Sequence, residues 1–236
     1  MNSRIHNFSA GPGVLPEPVL EEARQAILNF DGSGLGIMEC SHRSALFDGV
    51  IESARARISR LLNLSDSQEV LFLHGGARTQ FFMIPQNLLR GGRATYIDTG
   101  NWSKGAIAQA RRFGTVDVPF SSRETSYDRI PAKGALPAVP EGTIYLHYTS
   151  NNTVAGTEFD YVPETDVPLV CDMSSNILSR PIDGSKFKLI YAGAQKNMGP
   201  AGVTVVIIDR SWLDRCDPDV PEMLQYGLHV AKGSMY

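Results

Sequence analysis

Short apolar, β-branched runs recur along this chain, and each is continuous rather than alternating. They are EVLFLH (69–74), ATYID (94–98), TIYLHY (143–148), VPLVCDM (167–173), KLIYAG (188–193) and GVTVVIID (202–209). A strand with polar residues at every second position can leave one face in water, whereas a continuous run must be covered on both. Helical patterns fall between and before these runs, near 16–29, 44–63, 78–88 and 102–112. The first of these, LPEPVLEEARQAIL, places prolines and acids in its opening turn, where both are tolerated. Strands alternating with helices predict an α/β domain with a mostly parallel sheet and a ligand gathered at the carboxyl ends of its strands. The stretch 113–141 is polar and rich in Pro and Gly and is expected to run over the surface. The tail, PEMLQYGLHVAKGSMY, shows no closing element.

Composition narrows the function classes. A net charge of -3 gives no electrostatic case for nucleic acid or an anionic membrane. No apolar run approaches a bilayer span, and MNSRIHNFSAGPG lacks the apolar core of a secretory leader. The three cysteines, Cys40, Cys171 and Cys216, form no CxxC pair, so neither a disulfide framework nor a metal site is expected. The expected compartment is the cytoplasm.

One lysine stands out. Lys196, in IYAGAQKNMGPAG (190–202), follows an apolar strand and lies among small and amide-bearing neighbours. Desolvation disfavours the charged amine, and a neutral amine is the nucleophile that captures a carbonyl. Other features are ordinary when taken singly. HGGARTQFF (74–82) is a tight strand-to-helix turn whose free N–H groups can also cradle an anion. Asp172 ends a strand, where it can cap a turn or meet a cation. Trp102, in DTGNWSKGA, reads as a core aromatic, and Arg43 as an anion binder or a surface ion pair. His42 and His147 lack metal-ligand spacing and read as structural. Together, an imine-forming lysine, a carboxylate, an aromatic ring and a glycine cradle are the parts that hold pyridoxal phosphate.

These residues lie in a series of motifs, NFSAGPGVLP, SHRS, HGGARTQF, DTGNWS, HYTSNNTVAGTEF, DMSSNILSRPID and YAGAQKNMGPAGVTVVII. In that order they resemble the phosphoserine aminotransferases, from about residue 7 to the last residue. The resemblance implies the large domain of a fold-type I pyridoxal-phosphate transferase. Its seven-stranded, mostly parallel sheet would be covered by helices on both faces, with residues 1–15 as an N-terminal arm, 16–236 as the cofactor domain and a smaller C-terminal domain absent. It implies that Lys196 carries the cofactor and moves the substrate proton, Asp172 pairs with the pyridinium nitrogen, Trp102 stacks on the ring and Thr153 binds its phenolic oxygen. Ala77 and Arg78 would offer backbone N–H groups to the phosphate, with the Gln195 side chain beside them, and Arg43 would bind the substrate's carboxylate or phosphate. The implied substrates are L-glutamate and 3-phosphohydroxypyruvate, in serine synthesis and in some bacteria pyridoxine synthesis, and the implied assembly is a homodimer. Ala10 stands where some members have serine, which removes one substrate contact. Two other readings accompany this one. One is another fold-type I enzyme, such as an alanine–glyoxylate aminotransferase or a cysteine desulfurase relative. The other is a non-catalytic, cofactor-binding or dimerisation fragment.

Overall fold

The structure, a computed structural model, describes residues 4–236. Helices α1 (Glu17–Leu28) and α2 (Ala45–Leu61) precede strand β1 (Gln68–Leu73), helix α3 (Gly76–Leu88), strand β2 (Arg93–Asp98) and helix α4 (Asn101–Ala110). Strands β3 (Thr115–Ser121), β4 (Thr143–Thr149), β5 (Asn151–Asn152), β6 (Thr157–Glu158), β7 (Leu169–Asp172), β8 (Leu189–Gly193) and β9 (Thr204–Asp209) follow, and α5 (Tyr226–Ala231) comes last. The main sheet has seven strands in the order β1-β9-β8-β7-β4-β2-β3. The β8–β7, β7–β4, β4–β2 and β2–β3 pairs are parallel, while β9 is antiparallel to both β8 and β1. Only β9 therefore runs against the rest, and β1, β2, β4, β7 and β8 all end at the same edge of the sheet.

The continuous apolar runs are covered on both faces, as their composition demands. On one face Phe81, Ile84 and Leu88 of α3 and Ala106, Ile107 and Ala110 of α4 pack with Tyr96, Tyr145, Val170 and Tyr191. On the other, Ile58 and Leu62 from the end of α2 join Phe159, Ile177 and Phe187, so loops supply much of this second layer. Burial of these side chains stabilises each face by roughly 25 cal/mol per Å² of apolar surface removed from water.

The structure departs from the sequence reading in three places. Part of the stretch 113–141 is the edge strand β3, whose Pro119 sits beside a register shift opposite Thr95 and Ile97. Proline cannot donate to a ladder and is confined to edges and bulges, which is why this strand does not look like the others. The bulge also turns Val116 and Val118 to one core and Phe120 to the other. The tail does close on the domain: Tyr226 and His229 of α5 are buried, and the Tyr226 hydroxyl donates to Gln80 Oε1 at 2.5 Å. Finally, NNTVAGTE folds into the β5–β6 hairpin. Among the described residues, no helix is long and apolar enough to cross a membrane.

Candidate active site

The loops after β1, β2, β4, β7 and β8 surround one cleft of about 240 Å³, lined among others by Gly75, Ala77, Arg78, Trp102, Thr149, Thr153, Asp172, Ser174, Gln195 and Lys196. Of the residues expected to bind cofactor or substrate, Arg43 alone among the described residues is absent from its lining. That arginine is exposed in the turn before α2 and lies outside the cleft lining.

Each side chain arrives there for a local reason. Gly75 turns the chain from β1 into α3 with φ of 88°, a left-handed conformation that a Cβ would strain. No side chain caps α3, so its first N–H groups face the cleft unengaged and at the positive end of the helix dipole. Trp102 is set by Ser103, whose Oγ accepts from the Thr99 and Gly100 N–H groups at 3.0 and 2.9 Å and donates to Asp98 at 2.9 Å. Asn152 Nδ2 donates to Thr99 Oγ1 and to Thr157 Oγ1, both at 3.1 Å. That buried amide ties the hairpin bearing Thr153 to the turn bearing Trp102.

Lys196 is half-buried, and its Nζ donates to Thr153 Oγ1 and stands 5.8 Å from the Trp102 ring centre. The Arg78 guanidinium lies 5.3 Å from that same ring. Burial lowers the Lys196 pKa, opposed by the charge of Asp172. Asp172 is 4% exposed, and burial raises its pKa against the Ser174 hydrogen bonds and the charge of Lys196. Its Oδ1 accepts from the Ser174 N–H at 2.9 Å, so it caps a turn as well as facing the cleft. The arrangement holds an amine biased toward its neutral form near a buried carboxylate, an indole and an anion cradle.

The aminotransferase class-V family matches residues 5–222. A phosphoserine aminotransferase from Trichomonas vaginalis, solved with PLP bound, is 36% identical with a TM-score of 0.92, and the match covers 99% of this chain and 70% of that one. The chain belongs to the class-V aminotransferases, within the phosphoserine aminotransferase family. A Desulfotalea psychrophila phosphoserine aminotransferase is 50% identical over all of this chain and 65% of its own length. One from Bacillus circulans subsp. alkalophilus is 43% identical with a TM-score of 0.94, covering 99% of this chain and 65% of that one. The chain thus spans just under two thirds of the curated relatives it matches first.

Within this class-V aminotransferase cleft, the sequence reading missed two contributions. The first is the contact of the N-terminal arm with the Gln195–Lys196 loop. Gly13 N–H donates to the Gln195 carbonyl at 2.7 Å, and a Cβ on Gly13 would collide with the carbonyl oxygen of Lys196. Glycine is required there by close approach, a need that the motif FSAGPG signals only through its glycines. Residues 1–3 of the arm lie outside the described residues. The second is Thr149, 2% exposed and lining the cleft, whose Oγ1 has no hydrogen-bond partner among the described residues. A buried hydroxyl left unpaired costs free energy unless a ligand completes it.

Proposed function

We propose that this chain forms the cofactor-binding part of a pyridoxal-phosphate-dependent aminotransferase. Its reaction would move the amino group of L-glutamate to 3-phosphohydroxypyruvate, giving O-phospho-L-serine and 2-oxoglutarate for serine biosynthesis. The observation that carries the reading is the convergence of Lys196, Asp172, Trp102 and Thr153 on one cleft, in a chain half identical to phosphoserine aminotransferases.

The residues present fit the cofactor. The uncapped start of α3 suits a phosphate, with the N–H groups of Ala77 and Arg78 and the side chain of Gln195 close by. Two buried polar atoms in the lining, Trp102 Nε1 and Thr149 Oγ1, lack protein partners among the described residues. Bound in such a cleft, pyridoxal phosphate supplies a carbonyl carbon for amine capture and a ring that draws electrons from the substrate. Lys196 is the amine that would attach to it and then carry the proton to and from the substrate's α-carbon. Asp172 would hold a proton on the ring nitrogen, Trp102 would lie against the ring and Thr153 would donate to its phenolic oxygen. Arg43, exposed outside the cleft, would reach a substrate oxyanion only across a boundary with a second copy, which accords with a homodimer. Soluble cytoplasmic residence belongs to the same proposal.

A second reading, that these residues hold the cofactor without turning it over, is favoured by the poverty of cations in the cleft. Among the described residues its lining offers only Arg78 and Lys196 to a substrate bearing both a carboxylate and a phosphate. Catalysis by positioning suffers when a clamp is missing. One experiment separates the readings: a visible absorbance spectrum with added pyridoxal phosphate, for wild type and Lys196→Ala, before and after glutamate. A band present only in wild type and discharged by glutamate supports the aminotransferase. A Lys196-dependent band that glutamate leaves unchanged supports the holding role, and no band in wild type defeats both.

A further inference from the structure

Behind Asp172 lies a buried polar pair that the reaction does not directly use. Asp172 on β7 is in register with Tyr191 on β8, and Val170, two residues earlier, is in register with His147 on β4. Residues two apart on a strand share a face, so Asp172, Tyr191 and His147 belong to one side of the sheet. Tyr191 and His147 are 0% and 1% exposed. His147 Nε2 lies 2.9 Å from the Tyr191 hydroxyl, and the imidazole stacks on Tyr96 at 4.6 Å between ring centres.

Protonation follows from burial and from counting donors. Burial holds the His147 pKa down to about 3, so the ring is neutral and carries one N–H. Burial pushes the Tyr191 pKa well up, so its hydroxyl keeps its single proton. His147 Nδ1 has no hydrogen-bond partner among the described residues. With the proton on Nε2, His147 donates to the Tyr191 oxygen and leaves the Tyr191 O–H free to point elsewhere. Its neighbour in register on the same face of the sheet is Asp172, whose ionised form Tyr191 favours.

We propose that His147 and Tyr191 are a positioning pair for Asp172: the imidazole N–H fixes the tyrosine hydroxyl so that its proton is directed at the carboxylate. Such support matters because Asp172 is buried and needs help to remain ionised. In the free cleft part of that help is the charge of Lys196. The Ser174 N–H supplies another part, and the Tyr191 hydroxyl is the buried side-chain donor beside them on β8. The ionisable groups around Asp172 are Lys196 after β8, Tyr191 on β8 and Cys171 on its own strand. Those around Tyr191 include also Tyr96 and Tyr226.

This inference rests on the proposed cofactor chemistry, and its test separates the two. Carbon-13 NMR of the cofactor-free chain, with the Asp172 carboxyl assigned through Asp172→Asn, should show that carboxyl titrating at higher pH in Tyr191→Phe than in wild type. His147→Phe, which preserves the stack on Tyr96, should move it in the same direction. His147→Gln, whose amide N–H replaces Nε2–H, should restore it. Tyr191→Phe should also weaken pyridoxal phosphate binding about tenfold, read from the visible band, as loss of a hydrogen bond supporting a charged ligand group does. If wild type takes up no cofactor, the proposed function falls and this inference with it. If wild type takes up cofactor and Asp172 titrates alike in wild type and Tyr191→Phe, only this inference falls.

Discussion

At the scale of single residues, the cleft sets two ionisable groups against their ordinary behaviour. Burial raises the Asp172 pKa in the native state above its unfolded value. The native state therefore binds more protons than the unfolded state just above the ordinary carboxylate range, and stability falls as pH rises through that window. Above it the full penalty persists, at about 1.4 kcal/mol for each unit of displacement. Asp172→Asn, in the cofactor-free protein, is accordingly expected to be more stable than wild type at neutral pH, with the difference closing on acidification. Urea unfolding at several pH values measures this; a variant no more stable at neutral pH would show that the carboxylate is not penalised. Lys196 has the opposite sign. Its depressed pKa makes the native state bind fewer protons, so its penalty is present at low pH and fades as pH rises through the ordinary lysine range. Both penalties sit where a cofactor would offset them, the carboxylate facing a ring cation and the amine facing a carbonyl.

At the scale of elements, the site depends on strand ends and on the arm laid across one of them. Residues 5–12 are exposed, yet Gly13 is held against the Lys196 loop by its hydrogen bond to the Gln195 carbonyl. Gly13→Ala should lift the arm from that loop. Because the arm adds little to the core, the melting temperature is expected to change by no more than about 2 °C, within the range of surface substitutions. Backbone exchange at Gln195 and Lys196 should rise and cofactor binding should weaken. Equal losses of stability and binding would instead mean that the arm is part of the cooperative core. This contact was hard to read in the sequence, because close approach depends on which loops the fold brings together. The strands were legible because a doubly covered strand must be largely apolar, as VVII (205–208) of β9 is. β3 was not, because an edge strand broken by Pro119 carries a diluted pattern. Lys196, Asp172 and Trp102 point to a cofactor only as a set, since a lysine, an acid and an indole each have commoner structural uses. His147 and Tyr191 were hidden because LHY and IYAG present them as ordinary strand residues, and only the register of β4, β7 and β8 places them behind Asp172.

At the scale of the whole molecule, apolar surface is unevenly distributed. Most of the exposed large hydrophobic side chains lie between Ile5 and Met38, with Phe8 92%, Met38 79% and Leu28 73% exposed, and α1 contributes no buried residue. Exposed apolar side chains concentrated in one segment make that segment a candidate association face. Arg43 is exposed a few residues beyond it and outside the lining of its own cleft. The expected state is a homodimer through this region, visible as concentration-dependent sedimentation. Leu28→Glu combined with Met38→Glu should shift the equilibrium toward monomer by at least about tenfold, since each burial lost is worth roughly 1.5–3 kcal/mol. The two functions of the site should then part company. Lys196, Asp172 and Trp102 belong to one chain, so the monomeric variant should retain a Lys196-dependent absorbance band with pyridoxal phosphate. If Arg43 acts across the boundary, the same variant and Arg43→Ala should show similar losses of glutamate affinity, and combining them should add little. A wild-type chain that sediments as a monomer at all concentrations would overturn the association face, and a monomeric variant with full glutamate affinity would remove Arg43 from the site.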